Sequence, residues 1–225
     1  MFKRMTLLRR RTGDTAAAFQ AHWSSVHSTF VLELPGIRRY VQNDVIRRPS
    51  RVLCDGIVEL WFDDAAALQA AFDSEAGRAL PLDEANFLGG KIVSDVSEHV
   101  LVAGHPGGGA AKLISVVRSA AATRAPAWDR WHEHLRRAQS GIEGLVRMSH
   151  HRVASQRHVG SEANGPHDIA GFIVYHFRDA ATRAAFVHGA CDAVERIAAD
   201  RGAAHVRIPV IERIVKDGAI DPVSR

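Results

Sequence analysis

The chain has 225 residues, 46% of them hydrophobic and 24% charged, with a formal charge of +4 at pH 7; this is the composition of an ordinary globular protein. No block of five or six like charges occurs, so the positive balance reads as a solvated surface, and nucleic acid is not an expected partner. Cys54 and Cys191 are the only cysteines, which excludes a disulfide framework or a cysteine zinc site. No signal-like apolar run follows MFKRMTLLRRRTGD, and no stretch approaches the roughly 20 apolar residues that span a bilayer, so a soluble, cytoplasmic protein without a membrane partner is expected.

In chain order, residues 2–10 read as a strand. Asp14 or Thr15 can cap a helix running to about residue 33, because a short polar side chain there accepts from the free N–H groups of the first turn. Pro35-Gly36 ends it, and strands follow at 37–46 and 56–62. Asp63 or Asp64 caps an alanine-rich helix to about residue 80; 81–90 is expected to be irregular, and 92–102 is a fourth strand. After GHPGGGA (104–110), a linker by composition, the second half reads as a strand at 112–118, a helix at 126–140, strands at 145–153 and 169–177, a helix at 180–200 and a strand at 206–216.

The two halves echo each other. At an offset of 108, Trp23 meets Trp131, Gly36 meets Gly144 and Arg39 meets Arg147. WFDDAAALQAAF (61–72) corresponds to HFRDAATRAAF (176–186). This predicts two β-α-β-β-α-β repeats of the ferredoxin-like kind, at 1–103 and 111–225. Each such repeat leaves one sheet face bare. The expected fold is therefore α+β, with the two sheets pairing their bare faces into an intramolecular α/β barrel, helices outside and a cavity within. A monomeric pseudo-dimer, or a homodimer of it, follows.

Three segments, FQAHWSSVHSTFVLELPGIRRYVQN (19–43), CDGIVELWFDD (54–64) and LDEANFLGG (82–90), together resemble the EthD domain of the dimeric α/β-barrel superfamily. The resemblance covers about residues 3–102. The second half keeps the outline but has Leu135 where His27 stands and Met148 where Tyr40 stands, so it resembles a divergent copy. EthD proteins are associated with ether degradation and, in fungal relatives, with polyketide pathways that include decarboxylase-like members. Barrel relatives include cofactor-free monooxygenases, lactone isomerases, polyketide cyclases and haem-handling enzymes. What the resemblance implies is a small, largely apolar ligand; fold analogy carries no catalytic set with it.

The residues themselves suggest candidates. Phe19, Trp23, His27 and Phe30 share one helix face at i, i+4, i+8, i+11, whereas His22 lies about 100° round from Trp23. A desolvated His27 would stay neutral and fit to take a proton; a structural histidine giving its N–H to a backbone carbonyl is the plainer alternative. His22 is a second, weaker candidate base. On the third strand Val58, Leu60 and Phe62 face the helices, while Glu59 and Trp61 point into the barrel. Glu59 is either a buried acid–base group or half of an ion pair with Arg38 or Arg39. Tyr40 is expected to line the cavity, with Asn43 near its mouth and Trp23, Trp61 and Phe87 as walls.

Nine of the thirteen histidines lie in the second half. Their spacing argues against a metal: His132 and His134 point about 200° apart on a helix, and His150 and His151 lie on opposite strand faces. His150 and His176 are expected to enter the cavity opposite Glu59. ASQRHVGSEANGPHD (154–168) reads as a long polar loop, either a lid or a surface excursion. The functional expectation is a cofactor-independent enzyme that moves protons on a small apolar or aromatic, polyketide-like molecule by decarboxylation, dehydration, isomerisation or cyclisation. The alternatives are a non-catalytic small-molecule-binding barrel and a cofactor-free monooxygenase.

Overall fold

The structure is a computed structural model, and it describes residues 1–46, 53–118, 137, 139–160, 169–189 and 204–218. The described elements are β1 (Phe2–Arg10), α1 (Ala16–His22), a π-helical turn (Trp23–His27), α2 (Ser28–Leu32), β2 (Arg39–Val45), β3 (Gly56–Phe62), α3 (Ala65–Asp73), α4 (Glu75–Glu84), β4 (Leu88–Ala103), β5 (Ala111–Arg118), a 3-10 turn (Gln139–Gly141), β6 (Leu145–Val159), β7 (Ile169–Phe177), α5 (Ala180–Gly189) and β8 (Ala204–Asp217). The helix expected at 126–140 lies outside the described residues apart from its last turn. Residues 190–200 of the expected final helix lie outside them too.

Hydrogen bonding places the strands in a closed-barrel order, β1-β3-β2-β8-β5-β7-β6-β4. The order 4-1-3-2 in the first half thus recurs as 8-5-7-6 in the second. Contacts divide the chain into two compact units: Met1–Asp95 with the described parts of Ser155–Asn164 and Glu212–Arg225, and Val96–Ala154 with the described parts of Gly165–Ile211. Strands β4, β6 and β8 are each divided between the units.

In the first unit, β1 and β2 flank β3 antiparallel, with Met5 and Val41 opposite Glu59. Cross-strand partners share a face, so the sheet sorts its side chains cleanly. Leu8, Tyr40, Val58, Leu60 and Phe62 meet the helices, where Phe19, Trp23, Val31, Leu68, Ala71 and Leu80 join them in one apolar core. Each large side chain removed from water there contributes roughly 1.5–3 kcal/mol. Trp23 is fully buried, and its ring lies so close to Gly56 that a Cβ there would stand 2.5 Å from Cζ3. The opposite face carries Lys3, Met5, Val41, Asn43, Ile57, Glu59 and Trp61. In the second unit, β7 lies between β5 and β6, and Leu113, Met148, Ile173, Tyr175, Phe177 and Phe186 form the helix-side core.

Several expectations need correction. The first helix is not one regular helix: Thr15, not Asp14, caps it by accepting from the Ala18 N–H at 3.1 Å, and a π-turn interrupts it at Trp23–His27. The alanine-rich helix, capped by Asp64, stops at Asp73; Ser74 then caps α4, which runs straight through Pro81 into a region expected to be irregular. Tyr40 faces the helices and not the barrel side of the sheet. Residues 154–159, expected to be loop, are the last residues of β6.

Candidate functional site

A pocket opens within the first unit, between its helices and the helix-side face of its sheet. Its cavity volume is about 40 Å³. Leu8, Val31, Leu34, Val58, Leu60 and Leu80 form apolar walls, and the polar groups are His27, Tyr40, Thr6, Arg4, Glu84, Lys91 and Arg157. A mostly apolar cavity with a few converging polar groups is the usual form of a small-molecule site.

His27 reaches this pocket because of the π-turn. In a regular α-helix residues five apart point about 140° away from each other, but the i→i+5 turn brings His22 and His27 to one side. The local sequence supports the widened turn. Ser25 Oγ donates to the Ala21 carbonyl at 2.6 Å, Ser28 Oγ to Ser24 at 2.8 Å and Thr29 Oγ1 to Val26 at 2.7 Å, serving carbonyls along the distorted stretch. Both histidines meet one carboxylate, Asp83 of α4. His27 Nδ1 lies 2.7 Å from Oδ2, and His22 Nε2 lies 2.8 Å from Oδ1. Phe87 stacks on His22 with ring centroids 4.8 Å apart and tilts against His27 at 5.0 Å.

The electrostatics follow from this packing. Burial lowers the pKa of His27 below its ordinary 6.5, and it outweighs the opposing effect of the hydrogen bond that His27 donates to Asp83. Burial alone would raise Asp83, but the hydrogen bonds to His27 and His22 and their charges outweigh it and hold the carboxyl below 3.8. Asp83 is thus an anion at neutral pH. It accepts the His27 Nδ1–H, which fixes the tautomer and leaves Nε2 as the basic nitrogen. Among the described residues, Asp83 supplies the one hydrogen-bond partner of the His27 side chain. Tyr40, whose pKa burial pushes up, keeps its proton while its oxygen accepts from Gln42 Nε2 at 2.5 Å.

The structure brings together His27, His22 and Tyr40, and separates the other candidates from them. Glu59 is on the opposite face of the sheet, buried, 2.7 Å from Lys3 and accepting from Asn43 Nδ2 at 3.0 Å. Its cationic partner is Lys3, not Arg38 or Arg39. Arg38 pairs instead with Asp63, and Arg39 lies over Trp61 and beside Asp217. Trp61 also carries Lys3 Nζ 4.3 Å above its ring. Trp23 and Phe87 belong to the apolar core and line no part of the pocket. His150 and His176 lie in the second unit and do not share a face: His150 sits opposite the helix-side Ile173, whereas His176 pairs with Arg147 and points away from Tyr175 and Phe177. His150 stacks on His99 at 4.9 Å. No cluster of three metal-binding side chains occurs among the described residues.

Asp83 was missed by sequence reasoning, although it stands in the quoted LDEANFLGG segment. Pro81 marked the stretch as irregular, and only the helix through it turns Asp83 toward the histidines.

The family model of the EthD domain matches residues 11–91. This segment is an EthD domain. It contains the whole His22–Asp83–His27 cluster and Tyr40; Arg4 and Arg157 of the same pocket lie outside the match. No curated protein matches the sequence. Among solved structures, an anthrone oxidase-like protein is 10% identical over 99% of this chain and 96% of its own, with a TM-score of 0.66. A proposed monooxygenase from Fusobacterium nucleatum is 7% identical over 100% and 98%, with a TM-score of 0.60. An EthD family protein from Bacillus halodurans is 24% identical over 40% of this chain and 89% of its own, at a TM-score of 0.35. The two full-length likenesses show that the EthD domain is part of a fold shared across both halves of the chain.

Proposed function

We propose that the protein is a cofactor-independent enzyme that moves a proton on a small apolar or aromatic, polyketide-like molecule bound in the EthD domain's pocket. The observation that carries this reading is the His27–Asp83 pair at the pocket wall. A neutral imidazole whose Nδ1–H is held by a buried carboxylate offers Nε2 to a C–H or O–H of the ligand, and Asp83 then stabilises the imidazolium that forms. Tyr40, neutral, has its own O–H to give to a carbonyl or enolate oxygen of the ligand. Decarboxylation, dehydration, isomerisation and ring closure all pass through such an enolate-like charge. Glu59 takes no part, because Lys3 and Asn43 occupy it on the other side of the sheet.

The test uses the simplest proton transfer. Aromatic ketones and keto acids are incubated in D₂O, and exchange at the carbon next to the carbonyl is followed by NMR. The wild type should accelerate exchange, and His27→Ala should abolish the acceleration with the fold intact. Equal exchange by His27→Ala would remove His27 as the base. Oxygen consumption in place of exchange would favour a monooxygenase, and ligand binding with neither would favour a binding protein.

A further inference from the structure

Three cationic side chains line the pocket, and they are not equivalent. Arg4 is held bidentately by Asp95, at 2.7 and 3.1 Å. Lys91 is held by Glu84 at 2.5 Å. Arg157 lines the same pocket, is exposed, and makes no hydrogen bond or ion pair among the described residues. Its backbone is nonetheless anchored on both sides. Ser155 Oγ donates to Asp95 Oδ2 at 2.9 Å, on the carboxylate that holds Arg4. Gly160, at φ +86°, lies so close to the Gly89 carbonyl that a Cβ would approach it to 2.6 Å. The guanidinium is therefore delivered to the pocket by a fixed stretch of strand, the end of β6, and it is the one pocket cation left without a described counter-charge.

We propose that Arg157 is a specificity determinant: it recognises the carboxylate of a small, mostly apolar ligand whose body fills the pocket beside His27. This rests on the pocket being the ligand site. The guanidinium offers a planar fork of donors that matches a carboxylate. One uncompensated positive charge suits one negative charge; a phosphate dianion would call for more. The apolar walls supply no other group for an anion, since Arg4 and Lys91 are already neutralised by their partners.

The probes are 1-naphthoate and its neutral counterpart 1-naphthamide, titrated into the full-length protein while the His27 imidazole resonances are followed by NMR. Naphthoate should bind about 10-fold more tightly than naphthamide, the size of a charge-assisted contact at a partly exposed site. Raised salt should shrink that preference. Arg157→Gln should abolish it while leaving naphthamide affinity and the melting temperature unchanged, and Arg157→Lys should retain part of it. Equal binding of the two probes by the wild type, or an undiminished preference in Arg157→Gln, would overturn the assignment of Arg157 and leave the pocket in place. Failure of both probes to shift His27 would overturn the pocket as ligand site and the inference with it.

Discussion

His27 is defined less by its place on an aromatic face than by the carboxylate behind it. Asp83→Asn would keep the size of the side chain but lose the anion that orients Nδ1–H and balances the imidazolium. Exchange activity is expected to fall about 100-fold or more, with the melting temperature little changed. The depressed pKa of His27 also sets a pH dependence. The basic form persists down to below 6.5, so kcat/KM should hold level through pH 7 and decline with an acid-side midpoint below 6.5. For stability the sign is the same. The unfolded chain takes the proton more readily than the folded one, so the contribution of neutral, buried His27 is present above pH 6.5. It is lost as pH falls through 6.5 toward the folded-state value. Urea unfolding of His27→Gln at pH 7.5 and 5.5 should show a smaller pH difference than the wild type. Glu59 belongs to another role. Lys3 and Glu59 are each under 5% exposed in their side chains, so Lys3→Met alone removes the cation from a buried ion pair and should cost about 3–5 kcal/mol. The double variant Lys3→Met/Glu59→Leu should recover most of that in denaturant melts.

At the scale of elements, the π-turn and α4 make the site together. The turn adds the residue that brings His22 and His27 round to one carboxylate, and α4 holds that carboxylate despite the proline within it. Deleting Ser25 should let the segment relax into a regular α-helix. Far-UV circular dichroism should stay near that of the wild type, while His27 leaves Asp83 and activity falls as far as in His27→Ala. Retained activity in the deletion variant would show that the widened turn is dispensable. The third strand illustrates the opposite case. Its alternation of Val58, Leu60 and Phe62 against Ile57, Glu59 and Trp61 was legible at once, because a strand shows its two faces at period two and nothing distant alters that.

For the whole molecule, the unit that holds the pocket is not a continuous piece of chain. Met1–Asp95 is completed by the end of β6, which brings Ser155 and Arg157, and by the end of β8, where Arg213 reaches Asp44 and the Gly218 N–H donates to the Arg38 carbonyl at 2.9 Å. A fragment of residues 1–103 would lose these edge contacts and expose strand edges that the full chain covers. It is expected to self-associate or to melt well below the full-length protein, as read by light scattering and circular dichroism. A monomeric fragment with the melting temperature of the intact chain would contradict this.

The succession of strands along the chain, the faces of β3, the break at Pro35-Gly36 and the likeness of the first half to an EthD domain could all be read from the sequence. Each rests on local chemistry: periodicity, capping groups, turn residues and short motifs. The partners could not. Asp83 and His27 lie 56 residues apart, Glu59 chose Lys3 over nearer arginines, and Arg157 comes from the far half of the chain. Even the separation of His22 from His27 was decided by tertiary structure, since a regular helix keeps them apart and the π-turn joins them. Side-chain period is a property of neighbours along the chain, whereas the charge or cavity a side chain meets is set by long-range strand register and helix packing.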